Sequence, residues 1–250
     1  MPQPPAPFLS VLIPAYNEEA GLARCVELLQ ARLQALGVTT EFLIVDDDSR
    51  DRTGPIADEL AARHPNVRVF HHPVNHGIGG GFLTGVEQAR GEWLILMPAD
   101  LPLDLGELHH YFDAAPGADI VVGLRSDRSD YSLPRRIVSW TNIRLIQTLF
   151  GMRERQFQYI SLYRLDVLRR MDIEYWRSAF FLAEILIKAK AQGRRLVEVE
   201  IRYAPRLTGR ATGAKVVLVI RTMIDLFRFW VRWARLGPAA ASQPRARSLS

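Results

Sequence analysis

Short apolar runs alternate along the first half of the chain with stretches whose apolar residues fall three and four apart, which is the pattern of strands separated by helices. FLSVLIPAY reads as a strand, and Leu22, Val26, Leu29, Leu33 and Leu36 then recur along one helix face. Asn17 is placed to cap that helix, Glu18 and Glu19 to complement its dipole, and Gly37 to end it. EFLIVDD is a second strand, followed by a helix over residues 53–64 and a third strand, VRVFHH. A glycine-rich turn and a helix lead to WLILMP, and a further helix leads to DIVVGLR. Each apolar run is continuous in Val, Ile and Leu, as in strands buried on both faces. The fold class is therefore α/β, a mostly parallel central sheet with helices on both faces.

Beyond residue 130 the order changes. Helical patterns at 134–150 and 178–193 flank a short strand-like YISLYR, and LVEVEIRY supplies a late strand. This half is expected to be a less regular extension closing over the sheet. Residues 214–236, AKVVLVIRTMIDLFRFWVRWARL, are apolar enough to suggest a membrane span, but Arg221, Asp225, Arg228 and Arg232 share one helical face. The pattern is that of an amphipathic helix, with Trp230, Trp233 and the arginines suited to a headgroup layer. Docking on the protein's own core or on a second subunit fits it equally. Residues 237–250 have tail composition, and disorder is expected there. The division is thus a domain over 8–213, an amphipathic helix over 214–236 and a tail over 237–250.

With 250 residues, 48% hydrophobic and 24% charged, the chain can form one large globular domain. Its single cysteine, Cys25, excludes an internal disulfide framework, and MPQPPAPF lacks the features of a secretory signal. A cytoplasmic, reducing location is expected. The net charge of +5 comes with arginines concentrated after residue 120, which suits phosphates, anionic lipid or nucleic acid. No nucleic-acid-binding motif accompanies them.

In an open parallel sheet, ligands bind beyond the carboxyl ends of the strands, so the polar residues there are the candidates for chemistry. They are Tyr16, Asn17 and Glu18, then Asp46, Asp47 and Asp48, then Asn75 to Gly81, Asp100, and Arg125. Three successive aspartates repel one another unless a ligand, a cation or amide donors offset them. Ligand contact is expected for Asp46 and Asp47, while Ser49, Asp51 or Thr53 can cap the next helix. NHGIGGGFLTG lacks the third glycine of G-x-G-x-x-G, because Phe82 holds its place; close backbone approach or a tight turn accounts for the glycines. His71, His72 and His76 have no Cys or acidic neighbour completing a zinc pattern, and no serine lies in a G-x-S-x-G elbow.

Together SVLIPAYNEE, EFLIVDDDSRDRT and NHGIGGGFLTGVEQARGEWLILMPADL resemble the family 2 glycosyltransferases of the Rossmann-like GT-A fold, in the polyprenyl-phosphate branch that includes dolichyl-phosphate mannose synthase. The resemblance implies a nucleotide site walled by Pro14, Tyr16, Glu18 and Ala99, with Asp47 or Asp46 holding the base. Asp100 matches the second aspartate of the family's D-x-D, which binds Mg²⁺ or Mn²⁺ bridging the donor diphosphate. Arg125, Arg135 and Ser139 correspond to acceptor-phosphate contacts, and Glu184 to an acidic residue framing the site. Arg206 and Arg210 correspond to a basic loop over the phosphates. Four positions depart from the pattern: Pro98 replaces the first D-x-D aspartate, Pro102 stands where relatives often have a glutamine that approaches the metal, and Arg155 and Tyr159 replace the aspartate and the glycine of D-x-x-x-G-F-[KR].

The resemblance implies an inverting transfer of a hexose from a nucleotide sugar to a polyprenyl phosphate, by a peripheral protein on the inner face of the membrane. Asp100, Arg206 and Arg210 would neutralise the leaving diphosphate. A catalytically impaired descendant that keeps the nucleotide pocket as a binding or regulatory module is the alternative, favoured by Pro98 and Arg155. Self-association remains open.

Overall fold

The structure is a computed structural model and describes residues 7–126, 133–204 and 216–242, the side chains of 134, 135 and 216 excepted. In chain order the elements are β1 (Leu9–Ala15), α1 (Leu22–Ala35), β2 (Thr40–Asp46), α2 (Thr53–Arg63), β3 (Val67–His71), α3 (Gly77–Gln88), β4 (Trp93–Leu96) and α4 (His109–Ala114). There follow β5 (Ile120–Arg125), α5 (Leu133–Phe150), β6 (Ser161–Arg164), α6 (Leu165–Arg169), α7 (Phe180–Ala191), β7 (Leu196–Ile201), α8 (Val216–Leu236) and α9 (Pro238–Ala241). The strands form one sheet in the order β3-β2-β1-β4-β6-β5-β7. Every neighbouring pair is parallel except the two made by β6.

Alternation along β1 divides the core. Leu9, Val11 and Ile13 join Leu22, Val26, Leu29 and Leu60 on the α1, α2 and α4 side. Leu12 and Leu94 face the other side, with Phe82 of α3, Phe181 and Ile185 of α7, and Phe229 of α8. Both faces are covered, so every β1 position is buried except Pro14 near its carboxyl end, which is half-buried.

Several expectations are corrected. The second half is no extension: β6 lies in mid-sheet between β4 and β5, and β7 completes the edge. A four-residue strand carries too little pattern to announce a central, antiparallel position. Asn17 does not cap α1, which starts after Gly21; Asn17 has φ of 56° and its Oδ1 accepts from the Arg50 N–H at 2.8 Å. The glycine run is not a turn but the first turns of α3, where a Cβ on Gly79 would lie 1.7 Å from the Trp176 carbonyl oxygen and one on Gly81 3.1 Å from Pro14. The expected tail begins ordered, as α9, with Ala241 buried and the Gln192 side chain donating to the Ser242 carbonyl at 3.0 Å; residues 243–250 lie outside the described residues.

Helix α8 docks on the core through Leu226, Phe229 and Trp233, with Phe229 and Trp233 packed on Phe150. Trp233 is thus a core residue, not a headgroup residue, and the charged stripe turns partly inward: Asp225 is buried and Arg232 pairs with Glu174. The helix leaves exposed an apolar stripe, Val217, Ile220, Ile224, Phe227 and Val231 at three-and-four spacing, beside Arg221, Arg228 and Arg235.

Behind α8, Lys188 is fully buried, its Nζ 2.7 Å from Glu184, 2.9 Å from Glu174 and 2.7 Å from the Asp172 carbonyl oxygen. Glu184 also accepts from the N–H groups of Glu174 and Tyr175. A charge withdrawn this far from water persists only while its partners remain. Lys188→Met leaves Glu184 buried without its cation and is expected to destabilise the fold by about 3–5 kcal/mol. Adding Glu184→Gln should recover part of that loss in urea denaturation.

Candidate active site

Because β1, β2, β4 and β5 run the same way, their carboxyl ends open onto one edge. The register Ala15↔Asp46 and Leu12↔Leu96 brings the Tyr16–Glu18 loop, the Asp46–Asp48 turn and the Pro98–Asp100 turn side by side. The first two are stitched together. Asn17 N–H donates to Ser49 Oγ at 3.1 Å, Glu18 N–H to Thr53 Oγ1 at 2.7 Å, and Glu19 N–H to Asp51 at 3.2 Å. Backbone amides that a loop would otherwise present to water are used to fix it. Tyr16, 44% exposed, projects from this rim, while Pro14 packs below it near Gly81.

Asp46 and Asp47 are both buried, and each is committed to protein donors. Asp46 accepts from Ser49 N–H at 3.2 Å and meets His71 Nδ1 at 3.0 Å. Asp47 accepts from the N–H groups of His76 and Gly77, at 2.9 and 2.6 Å, and meets His72 Nδ1 at 2.7 Å, while His72 Nε2 reaches Thr84. Asp47 therefore pins the start of α3, where helix amides lack internal partners. The imidazoles are orienting partners of the two aspartates, a role that the absence of a zinc pattern left unassigned.

At the tip of β4, Leu101 N–H donates to the Pro98 carbonyl at 3.1 Å, Leu101 takes φ of 44°, Ala99 is buried and Asp100 is half-buried. The Cys25 thiol lies beneath this turn, 3.9 Å from the Pro98 carbonyl oxygen, and burial, then the charges of Asp100 and Glu18, push its pKa up. The thiol therefore stays protonated. With His72 engaged elsewhere, the donors offered at the tip are hard oxygens, which suit Mg²⁺ or Mn²⁺ rather than zinc.

Beyond β5 the buried Arg125 lays its guanidinium over the Tyr203 ring, 3.4 Å from the centroid. The Gln156 side chain clasps the Arg125 backbone, accepting from its N–H at 3.0 Å and donating to its carbonyl at 3.1 Å. Gln156 also lines a cleft of about 360 Å³ shared with Ser139 and Asn142 of α5, Tyr159, Phe181 and Thr222. Tyr159 closes the gap to the β4 tip by donating to the Pro102 carbonyl at 3.1 Å. Sequence reasoning missed Gln156 and Tyr203 and met Tyr159 only as the replacement of a family glycine; only a three-dimensional contact gives the three their roles.

Pro14, Tyr16, Glu18, Asp46, Asp47, Ala99 and Asp100 therefore gather at one edge, with Arg125 and Ser139 at the adjoining cleft. Glu184 does not face it: fully buried, it holds residues 174–175, whose neighbour Trp176 packs on Gly79 and His76. Arg206, Arg210 and the Arg135 side chain lie outside the described residues. Arg155, the departure from the family aspartate, is tied to β7 through Glu198 at 3.1 Å and Glu200 at 3.3 Å.

A mostly parallel α/β sheet with a carboxylate at a central strand tip is the architecture of the GT-A glycosyltransferases. Residues 10–172 match the model for glycosyl transferase family 2, and the chain belongs to that family. It is 30% identical, over 84% of its length and 91% of the relative's, to an undecaprenyl-phosphate mannosyltransferase of Micrococcus luteus. It is 32% identical, over 88% of its length, to an undecaprenyl-phosphate 4-deoxy-4-formamido-L-arabinose transferase of Edwardsiella ictaluri, and spans 66% of that longer relative. Its fold is similar to glucosyl-3-phosphoglycerate synthase from Mycobacterium tuberculosis, solved with Mn²⁺, UDP-glucose and phosphoglyceric acid, with a TM-score of 0.65, 14% identity, and coverage of 89% of this chain and 79% of that one.

Hydrogen bonds from His71 to Asp46, and then to Asp58, raise its pKa above the usual 6.5. A raised folded-state pKa adds stability that is complete below the unfolded-state value and fades as pH climbs through the folded one. His71→Gln should accordingly cost more stability at about pH 5.5 than at about pH 8.5, as read from urea midpoints at the two pH values.

Proposed function

We propose that the chain transfers a hexose, with inversion, from a nucleoside-diphosphate sugar to a polyprenyl phosphate at the inner face of a membrane. The observation that carries this reading is the continuity between two unlike surfaces. A polar edge ending in Asp100 passes, through Tyr159 and Gln156, into a cleft bordered by helices whose outer faces are apolar and exposed. A charged donor and a lipid acceptor need that junction. The relatives named above act, by their names, on undecaprenyl phosphate, which supports the acceptor class.

An acceptor phosphate is already anionic, so the reaction needs no strong base; holding the reactants in line and offsetting charge on the leaving diphosphate supply the rate. Asp100 would hold a divalent metal, which when bound offsets charge on the diphosphate. Tyr16 offers a ring beside the β1 rim for a nucleobase, with Pro14, Asp46 and Asp47 shaping its floor. Arg125, braced by Tyr203 and Gln156, supplies fixed positive charge near the cleft, and Ser139 a hydroxyl on its wall. Arg135, Arg206 and Arg210 are assigned the remaining phosphate contacts on the family resemblance. Pro98 removes one carboxylate; a metal that keeps several waters needs few protein ligands.

Among the described residues no helix is long and apolar enough to cross a membrane. Peripheral attachment is supported by the outer face of α8, together with Leu133, Ile137 and Trp140 of α5. Exposed Arg221, Arg228 and Arg235 flank the α8 stripe. Like charges along the stripe repel a second copy and attract anionic headgroups.

Asp100→Ala should lower transfer to a polyprenyl phosphate by about a hundredfold or more and abolish Mn²⁺-dependent donor binding; undiminished turnover in the presence of chelator would refute the metal role. Replacing Ile220 and Phe227 by Glu should weaken co-sedimentation with anionic vesicles at least about tenfold while leaving donor binding in solution intact. Equal partitioning of variant and parent would assign that stripe to another use.

A further inference from the structure

On the opposite side of the sheet from α8, His109, His110 and Asp113 place one ligand atom each within 4.8 Å of one another. We propose that these residues form a second metal site, for a borderline transition ion such as Zn²⁺ or Ni²⁺. Positions 110 and 113 are three apart on α4 and 109 and 113 four apart, so Asp113 neighbours both imidazoles. The two imidazole rings already lie together, their centroids 4.1 Å apart at 37°.

The tautomer of His109 is set in the form that a metal requires. Its Nδ1 lies 2.9 Å from the Gly106 carbonyl oxygen, and a carbonyl can only accept, so the proton sits on Nδ1 and the Nε2 lone pair is bare. That carbonyl is itself held: Arg32 donates to it at 2.7 Å and to the Leu105 carbonyl at 2.9 Å. The helix cannot drift, because Leu108 and Tyr111 are buried and the Tyr111 hydroxyl donates to the Ile160 carbonyl at 2.9 Å. His110 and Asp113 are exposed, so water completes the coordination without a desolvation cost. Two imidazoles with one carboxylate select zinc, nickel or copper over magnesium, opposite to the oxygen donors at Asp100. The site neither uses nor depends on the glycosyl-transfer reading.

The test is calorimetric titration of the full chain with Zn²⁺ and with Ni²⁺, in excess Mg²⁺ to mask hard oxygen sites. One ion should bind with micromolar affinity. His109→Ala and His110→Ala should each weaken binding by about tenfold or more, and His109,His110→Ala together should abolish it. Asp100→Ala and His71→Gln should leave the affinity unchanged, which separates this site from the donor edge and from the histidines after β3. These positions are on the surface, so unchanged thermal unfolding of the variants certifies their fold. No binding tighter than millimolar, or binding that survives the double replacement, overturns the proposal.

Discussion

Parallel pairing of β1 with both β2 and β4 is the constraint on which everything else rests. A strand so paired is flanked along both edges, with β2 ending opposite Ala15 and β4 opposite Leu12. The polar residues that follow Ala15, Asp46 and Met97 are therefore delivered to one rim by backbone register, whatever their side chains do. The loops then spend their amides on each other, through Ser49, Asp51 and Thr53, so the rim is stiff before any ligand arrives.

Two devices carry that stiffness across the layers. One is the absence of side chains at Gly79 and Gly81, which lets the Trp176 backbone and Pro14 press against α3. The other is the buried set of Lys188, Glu184 and Glu174, joined by Arg232 from α8. Its carboxylates hold residues 174–175, and these set Trp176 over the glycines. A buried ion cluster contributes little net stability, but it penalises every alternative arrangement in which a charge loses its partner. The acidic residue that the family resemblance places around the site thus works from behind it.

Within the rim, chemistry changes over a short distance from carboxylates to an apolar cleft. The proline at position 98 keeps its carbonyl in the turn and accepts the Leu101 amide, so the turn that aims Asp100 survives the loss of a side-chain ligand. Arg155 likewise has exchanged a family carboxylate for ion pairs that tie its loop to β7. Both departures alter ligands and charge, and neither dismantles the frame that holds Asp100, Arg125 and the cleft.

Sequence by itself determined the α/β class, the seven strand segments, the helix face from Leu22 to Leu33 and the strand-end positions at which chemistry gathers. Local periodicity reports which side of an element is buried, and a parallel sheet converts strand ends into one edge. It did not determine that β6 enters the middle of the sheet, that Trp233 is core while Phe227 is surface, that Asp47 serves as an anchor for α3, or that Gln156 and Tyr203 brace Arg125. Those depend on pairings between residues tens of positions apart. A three-and-four pattern gives α8 two apolar flanks without saying which one meets the protein. Only the packed structure, by filling one flank with Phe150 and leaving the other to solvent, made that choice.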